Sequence, residues 1–470
     1  MTIDYDAIII GTGQAGPPLA ARLSAAGQKV AVIERQSFGG TCVNTGCIPT
    51  KTMVASAYAA QLARRGADYG VVPTGQVTVD MTRVKARKDG VVGKSTHGVE
   101  TWVRTLEHGT VYLGHACFEG PDTVRVNDTL LRAGKIFINV GGRAAAPPMP
   151  GLEQVDYLTN AGMMRVDTLP RHLLVVGGSY IGLEFGQMFR RFGSEVTIVQ
   201  RGPRLIERED PDVSDAVRDI LAAEGIGLRL DAECIALEQR GGEVVVKMDC
   251  ARGAPEIVGS HVLLAVGRRP NTDDLGLDRA GVAVDARGYI QVDEQLRTNV
   301  PGIWAMGDCN GRGAFTHTAY NDFEIVAANL LDAASGEPPR TLGDRIPAYA
   351  LYTDPPLGRV GMNEAEARRS GRNVLVGMRP MTRVGRAVEK GETQGFMKIL
   401  VDADSREILG AAVLGVGGDE VIHCILDAMY ACAPYTVVQR AMHIHPTVSE
   451  LIPTMLGELH PLEPARPAAA

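Results

Sequence analysis

Two glycine-rich stretches, each set between an apolar run and a helix-like run, constrain this chain more than any other feature. They are Gly11-Thr-Gly13-Gln-Ala-Gly16 near the start and Gly177-Gly178-Ser179-Tyr180-Ile181-Gly182 in the middle. The first follows Ala7-Ile8-Ile9-Ile10 and leads into an alanine-rich helical stretch ending near Gly27, after which a strand over 30–33 delivers Glu34. In such a βαβ unit the glycines let the backbone approach a pyrophosphate, the helix N-terminus stabilises its charge, and an acid binds the adenosine ribose. The second unit runs from a strand over 173–176 to one over 195–199, with Ser179 at its second glycine and Gln200 where the acid would stand. Two units predict two nucleotide sites and an α/β fold with two Rossmann-like dinucleotide-binding domains.

Only the first unit is followed by cysteines. In Gly39-Gly40-Thr41-Cys42-Val-Asn-Thr-Gly-Cys47-Ile-Pro-Thr-Lys51, two thiols stand with four residues between them just beyond the first fingerprint. A cysteine pair becomes redox chemistry only beside something that can reduce it, so this juxtaposition reads as electrons crossing from a flavin to a thiol pair. One sulfur must attack a disulfide or bind a metal while the other exchanges electrons, and the thiolate is the working species.

Composition bounds the rest. A chain of 470 residues, 45% of them hydrophobic, can hold two to four domains with proper cores. A net charge of −7 without a basic cluster argues against nucleic acid or an anionic membrane as partner. No apolar stretch approaches the roughly 20 residues of a membrane span, and a first strand so close to Met1 leaves no room for a signal peptide, so a cytoplasmic enzyme is expected. The eight cysteines are scattered too widely for a structural disulfide framework, which fits a reducing compartment.

On these residues the chain resembles the pyridine nucleotide-disulfide oxidoreductases, the flavoprotein family of dihydrolipoamide dehydrogenase, glutathione reductase and mercuric reductase. The likeness extends over residues 4–459, and Gly39 to Lys51 looks like the family's redox-active disulfide motif. Arg87-Lys-Asp-Gly-Val-Val with Gly98-Val99 is similar to the lipoamide-dehydrogenase and mercuric-reductase branches. The resemblance implies FAD at the first unit, held by Gly11, Gly13, Gly16, Glu34, Gly40, Thr41 and Asp308. It implies a nicotinamide cofactor at the second, held by Gly177, Gly178, Tyr180, Gly182, Gln200, Arg201 and Gly267, with Tyr180 shielding the flavin. Cys47 would be the sulfur next to the flavin, Cys42 the interchange thiol, and Lys51 with Glu184 an ion pair at the flavin's reactive edge. His445 would be the acid-base, reaching Cys42 from the partner subunit of a homodimer; Pro446 biases it away from helix, and Glu450 can hold one ring nitrogen so that the other faces the thiol.

The implied organisation is an FAD-binding domain in two parts, 1–148 and 276–345, around a nicotinamide domain over 149–275. An α+β dimerisation domain over 346–460 follows, with strands over 396–401 and 408–414 and a helix over 420–432 carrying Cys424 and Cys432 as core or interface residues. Residues 461–470, rich in proline and alanine, are expected to be disordered. Loss of the acid at Gln200, with Arg201 and Arg204 beside it, favours NADPH over NADH. The expected activity is reduction of a small disulfide, or of a thiol-reactive metal ion or electrophile, through Cys42 and Cys47. A mercuric reductase would usually add a vicinal cysteine pair near its C-terminus, to hand a soft ion between thiolates, and would lack the His-Pro-Thr run; this sequence shows the reverse. The alternatives are an NAD-dependent dihydrolipoamide dehydrogenase and a non-catalytic, flavin-binding redox sensor.

Overall fold

A computed structural model describes residues 2–249, 253–332 and 336–464. The apolar run Ala7–Ile10, buried at every position, lies at the centre of a five-stranded sheet. The order is Ile303–Ala305, Ile136–Ile138, Ala7–Ile10, Val30–Glu34, Gly109–Leu113, all parallel. These strands are apolar throughout rather than alternating because both faces are covered: Ile8, Ile10, Ala31 and Ile33 enter one core, and Ala7, Ile9, Val30 and Val32 enter another. The helix Gly16–Ala25 begins with proline in its first turn, where the missing N–H costs nothing, and packs Leu19 and Leu23 onto the second core. The strand order reverses at Ala7–Ile10, which opens the crevice at the carboxyl ends where such sheets bind ligands.

The second fingerprint repeats this logic. Its parallel sheet runs Tyr157–Leu158, His261–Leu264, His172–Val176, Glu195–Val199, Gly227–Arg229. The first glycine of each unit is obligatory on two counts. Gly11 has φ +101° and a Cβ there would lie 2.4 Å from the Asn139 carbonyl oxygen; Gly177 has φ +117° and its Cβ would lie 2.4 Å from that of Ala265.

An antiparallel ribbon, Gly142–Ala144 with Arg268–Pro270, carries the chain out of the first unit and back. The chain then returns to the first sheet as Ile303–Ala305, so that unit is discontinuous. The C-terminal region is an antiparallel sheet, in the order Ala348–Leu351, Leu357–Gly361, Ile408–Leu414, Phe396–Asp402, Val374–Pro380, His460–Pro461. Helices Gly418–Tyr430, Tyr435–Arg440 and Ile452–Leu456 contribute to its core. Among the described residues no helix is long and apolar enough to cross a membrane.

Two sequence expectations are corrected here. The helix expected over 420–432 is Gly418–Tyr430; Cys432 follows it with φ +48° and is exposed, while Cys424 packs against the core. The tail expected to be disordered from 461 begins with order: Pro461 pairs with Leu375, and the Leu462 N–H donates to the Val374 carbonyl at 2.9 Å. An edge strand with free carbonyls captures residues that carry no apolar period of their own. Residues 465–470 lie outside the described residues.

Candidate active site

Gly46 interrupts the chain between a short helix, Gly40–Asn44, and a long one, Cys47–Arg64. Cys42 therefore sits on the first helix and Cys47 at the N-terminus of the second, where the helix dipole favours a thiolate. Both are free thiols. Hydrogen bonding from Cys42 pushes the Cys47 pKa down to about 6, against the effect of burial and with help from Thr316 and the charge of Lys51. Cys42 moves the other way, raised first by its hydrogen bond to Cys47 and then by burial. Of the two sulfurs Cys47 is thus the one that ionises more readily, and its Sγ lies 3.0 Å from Thr316 Oγ1.

One turn into the long helix, Lys51 Nζ lies 2.8 and 3.0 Å from the two carboxylate oxygens of Glu184, on the helix Tyr180–Phe192. Glu184 also accepts the Tyr352 N–H at 3.0 Å, and Lys51 Nζ stands 4.4 Å from the centre of the Tyr352 ring. The cation thereby lines a cavity of about 2300 Å³ that both fingerprints and both cysteines also line. That volume exceeds the roughly 300–1,000 Å³ of an ordinary small-ligand pocket and suits two dinucleotides meeting end to end.

The first unit fits FAD. Gly11, Gly13, Glu34, Gly40, Thr41 and Asp308 line the cavity, with Gly16 behind them. A Cβ at Gly40 would come 3.0 Å from the Gly13 Cα, so the cradle is bare backbone. Beside it the buried Asn139 Nδ2 has no hydrogen-bond partner among the described residues, which suits an acceptor placed against the glycines. Glu34 is oriented by the Thr12 N–H at 3.1 Å and the Gln36 N–H at 2.8 Å. Burial raises the Asp308 pKa, with Arg268 at 3.4 Å acting against it.

In the second unit, Gly177, Gly178, Tyr180, Gln200, Arg201 and Gly267 line the same cavity, and Gly182 is buried behind them. Gln200 folds back on its own fingerprint: Oε1 accepts the Gly178 N–H at 2.8 Å and Nε2 donates to Glu207 at 3.1 Å. Arg201 is exposed and forms no ion pair among the described residues.

His445 and Glu450 are not brought to this cavity within one chain. His445 Nδ1 lies 2.9 Å from Glu450 Oε2, and the imidazole is 80% exposed, so its other nitrogen faces outward from a well-held ring.

Sequence reasoning missed a buried charge network next to Tyr180. Glu209 accepts two N–H groups of Arg359 at 2.6 and 3.0 Å, the Tyr349 hydroxyl at 2.7 Å and the Tyr180 hydroxyl at 3.3 Å. Asp210 accepts from Arg359 at 2.8 Å. Lys398 Nζ lies 2.9 Å from Asp210 and 2.7 Å from both Asp212 and Glu364, so the three converging acids already share an ammonium. Burial raises the Tyr180 phenol pKa first, and Glu209 adds to it. The one legible signal was a cation inside an apolar strand, Arg359 in Leu357–Gly361 and Lys398 in Phe396–Asp402.

Comparison with known proteins places this geometry. Residues 5–322 match the pyridine nucleotide-disulphide oxidoreductase family and residues 347–456 its dimerisation domain. The probable pyridine nucleotide-disulfide oxidoreductase RclA of Escherichia coli K12 is 36% identical over 95% of this chain and 97% of that protein. Dihydrolipoyl dehydrogenase of Thermus scotoductus is 35% identical over 97% of each, and mercuric reductase of Staphylococcus aureus 33% identical over 94% of this chain and 82% of its own. The solved structure of the HOCl-induced flavoprotein disulfide reductase RclA from Escherichia coli matches with a TM-score of 0.87 at 34% identity, over 96% of this chain and 99% of that one. A Cu(II) complex of the same reductase matches equally well. The chain therefore belongs to the pyridine nucleotide-disulphide oxidoreductase family, as a flavoprotein disulfide reductase whose relatives use FAD and a pyridine nucleotide.

Proposed function

We propose that this enzyme takes electrons from NADPH, with NADH less favoured, and delivers them through Cys47 and Cys42 to a small disulfide or a thiol-reactive metal ion or electrophile. The observation that carries this reading is the placement of the sulfur pair: Cys42 and Cys47 line one cavity with both fingerprints, and Cys47 starts a long helix with its Sγ 3.0 Å from Thr316 Oγ1, its pKa lowered while that of Cys42 is raised. Bound FAD would supply the two-electron exchange between the nicotinamide and the sulfurs. Gly11, Gly13, Gly16, Gly40 and Thr41 would hold it, with Glu34 at the ribose and Asp308 at the ribityl chain. Lys51, fixed by Glu184, would place a positive charge at the flavin's reactive edge, and it adds to the hydrogen bonds from Cys42 and Thr316 that lower the Cys47 pKa. Cys42 faces the substrate and needs a base before it can attack, because its pKa is raised. His445 of the partner subunit would be that base in a homodimer, with Glu450 fixing its ring. The dimerisation domain and the exposed His445 support this assignment. The free Arg201 at the cavity supports a 2′-phosphate.

Anaerobic titration with NADPH and NADH, followed by turnover with lipoamide, glutathione disulfide, Hg(II), Cu(II) and quinones, tests the proposal. Among metal ions Cu(II) comes first, because a relative has been solved with it. The expected result is bleaching of the flavin by NADPH and turnover of at least one thiol-reactive acceptor. Bleaching without turnover of any of them would reject the substrate class.

His445→Ala should leave reduction by NADPH intact and slow disulfide turnover by about a hundredfold, the scale of losing a positioned acid-base. Mixing inactive Cys42→Ser subunits with slow His445→Ala subunits should raise the activity well above that of either alone, since one site of each heterodimer then carries neither defect. Exchange of subunits without recovery would place the histidine elsewhere.

A further inference from the structure

The segment between Cys42 and Cys47 is held in place by bonds that involve neither sulfur. Asn44 ends the short helix Gly40–Asn44 and folds its amide back on the approach to Cys42: Nδ2 donates to the Phe38 and Gly40 carbonyls, both at 2.9 Å, while Oδ1 accepts the Thr96 hydroxyl at 3.0 Å. The next carbonyl, that of Thr45, accepts Asn160 Nδ2 at 2.8 Å. Gly46 then doubles back so tightly that a Cβ there would lie 2.9 Å from the Thr41 carbonyl oxygen and 3.3 Å from the Cys42 Cα. Asn160 is 8% exposed and belongs to the second unit, where it opens the helix Asn160–Met163 just after the edge strand Tyr157–Leu158. Behind both clamps stands one long helix, Met81–Arg104, which carries Thr96. Its buried Lys88 donates at 2.7 Å to the Met164 carbonyl, at the end of Asn160's helix, and its Arg87 donates at 2.7 Å to the Thr52 carbonyl, on the helix that Cys47 starts. The Arg87-Lys88 pair that stood out in the sequence therefore ties the helices of Asn160 and Cys47 to one support.

We propose that Thr96 and Asn160 are positioning residues for the sulfur pair. Through Asn44 and Thr45 they hold the intervening segment in the arrangement from which the disulfide closes, and so make the pair harder to reduce. The thiols here already hydrogen-bond to one another, so closing the S–S bond from the held segment orders little further chain. From a loosened segment the same closure must first fix several backbone and side-chain torsions, which costs conformational entropy. The clamps touch backbone and amide groups only, so they act on where the two sulfurs sit and not on the acidity of either. The inference rests on the reading of Cys42 and Cys47 as the redox couple and adds what sets its poise.

Anaerobic equilibration of the FAD-loaded dimer in dithiothreitol buffers at fixed pH tests it, with the thiols trapped by alkylation and the peptide carrying both cysteines read by mass. Oxidation removes two electrons and the thiol protons as the protein S–S bond forms. Cyclic oxidised dithiothreitol takes up the electrons as its own S–S bond opens to the dithiol, and solvent supplies any proton that an ionised Cys47 lacks. The ratio of reduced to oxidised reagent at half-reduction therefore reports the closure equilibrium directly. Thr96→Val and Asn160→Ala are each expected to lower that ratio by about three- to tenfold, the scale of one hydrogen bond; tenfold corresponds to about 30 mV for a two-electron couple. Thr96→Ser, which keeps the hydroxyl, should return the ratio to within about twofold of wild type. A purely structural role would lower the unfolding midpoint and leave the ratio where it was. A ratio unchanged in either Thr96→Val or Asn160→Ala, a shift toward easier oxidation, or a defect that Thr96→Ser shares would overturn the proposal. Failure of the wild-type pair to pass between dithiol and disulfide in any of the buffers would instead reject Cys42 and Cys47 as the redox couple, and this inference with it.

Discussion

Replacing Cys47 with serine is expected to reduce disulfide turnover at least about a thousandfold, as loss of a covalent participant does, and to erase the long-wavelength absorbance of a thiolate against the flavin. Cys42→Ser should lose turnover equally but keep that absorbance. The difference follows from where the single negative charge of the pair resides. Cys47 starts a long helix, lies 3.0 Å from the Thr316 hydroxyl and feels Lys51, so it ionises first. A serine at 42 can still donate to Cys47; a serine at 47 cannot become an anion in this range. The pH dependence has a defined sign. Cys47 is an acid whose pKa is pushed down to about 6, so its absorbance should be complete at pH 8 and disappear as the pH falls through about 6. Retention of the band in Cys47→Ser with its loss in Cys42→Ser would reverse the two roles. Thr316→Val should move the midpoint upward, since it removes a hydrogen bond to the thiolate.

The parts of this site that were legible in the sequence are those made by contiguous backbone. Gly11 and Gly177 announce their units because each strand–turn–helix is local, and no other residue adopts their φ against a neighbouring strand's carbonyl. Cys42, Cys47 and Lys51 read together because one short segment carries them. Gln200 was read as a missing acid, but its bond to Glu207 was not read. The loop between them is irregular, and its course depends on a backbone bond from Ile206 to Gly178. Glu209, Arg359 and Lys398 were illegible for a different reason. Their partners come from strands and loops far apart in the chain, and a buried cation announces itself only as an unexpected letter in an apolar run. His445 was legible as a motif but not as a member of the cavity, because one chain does not bring it there.

Arg359→Met is expected to destabilise the protein by about 3–5 kcal/mol, the cost of leaving a buried charge without its partner. Arg359 is 2% exposed and its two acceptors, Glu209 and Asp210, are 0% and 2% exposed. Methionine fills similar volume, so the loss is electrostatic rather than a cavity. Burial pulls the Arg359 pKa down, and the two carboxylates hold it above its ordinary value. Burial likewise pushes Asp210 up, while Arg359 and Lys398 hold it below the usual carboxylate range. An acid with a depressed folded pKa contributes stability that is present above its unfolded pKa, about 4, and is lost as the pH falls through the folded one. In the variant the depression weakens and burial favours the neutral acid, so the deficit should be largest near pH 7 and narrow toward pH 5. The measurement is the urea midpoint of the flavin-loaded dimer at both pH values, at fixed flavin and protein concentrations because both bind only the folded state. The double variant Arg359→Met with Glu209→Gln should recover part of the loss, because it also removes the stranded charge. A single variant with an unchanged midpoint, or a double variant no more stable than the single, would show that the tyrosine hydroxyls and Lys398 satisfy these carboxylates without the arginine. The joint also connects strand Leu357–Gly361 to the segment before helix Pro211–Ala223, beside Tyr180.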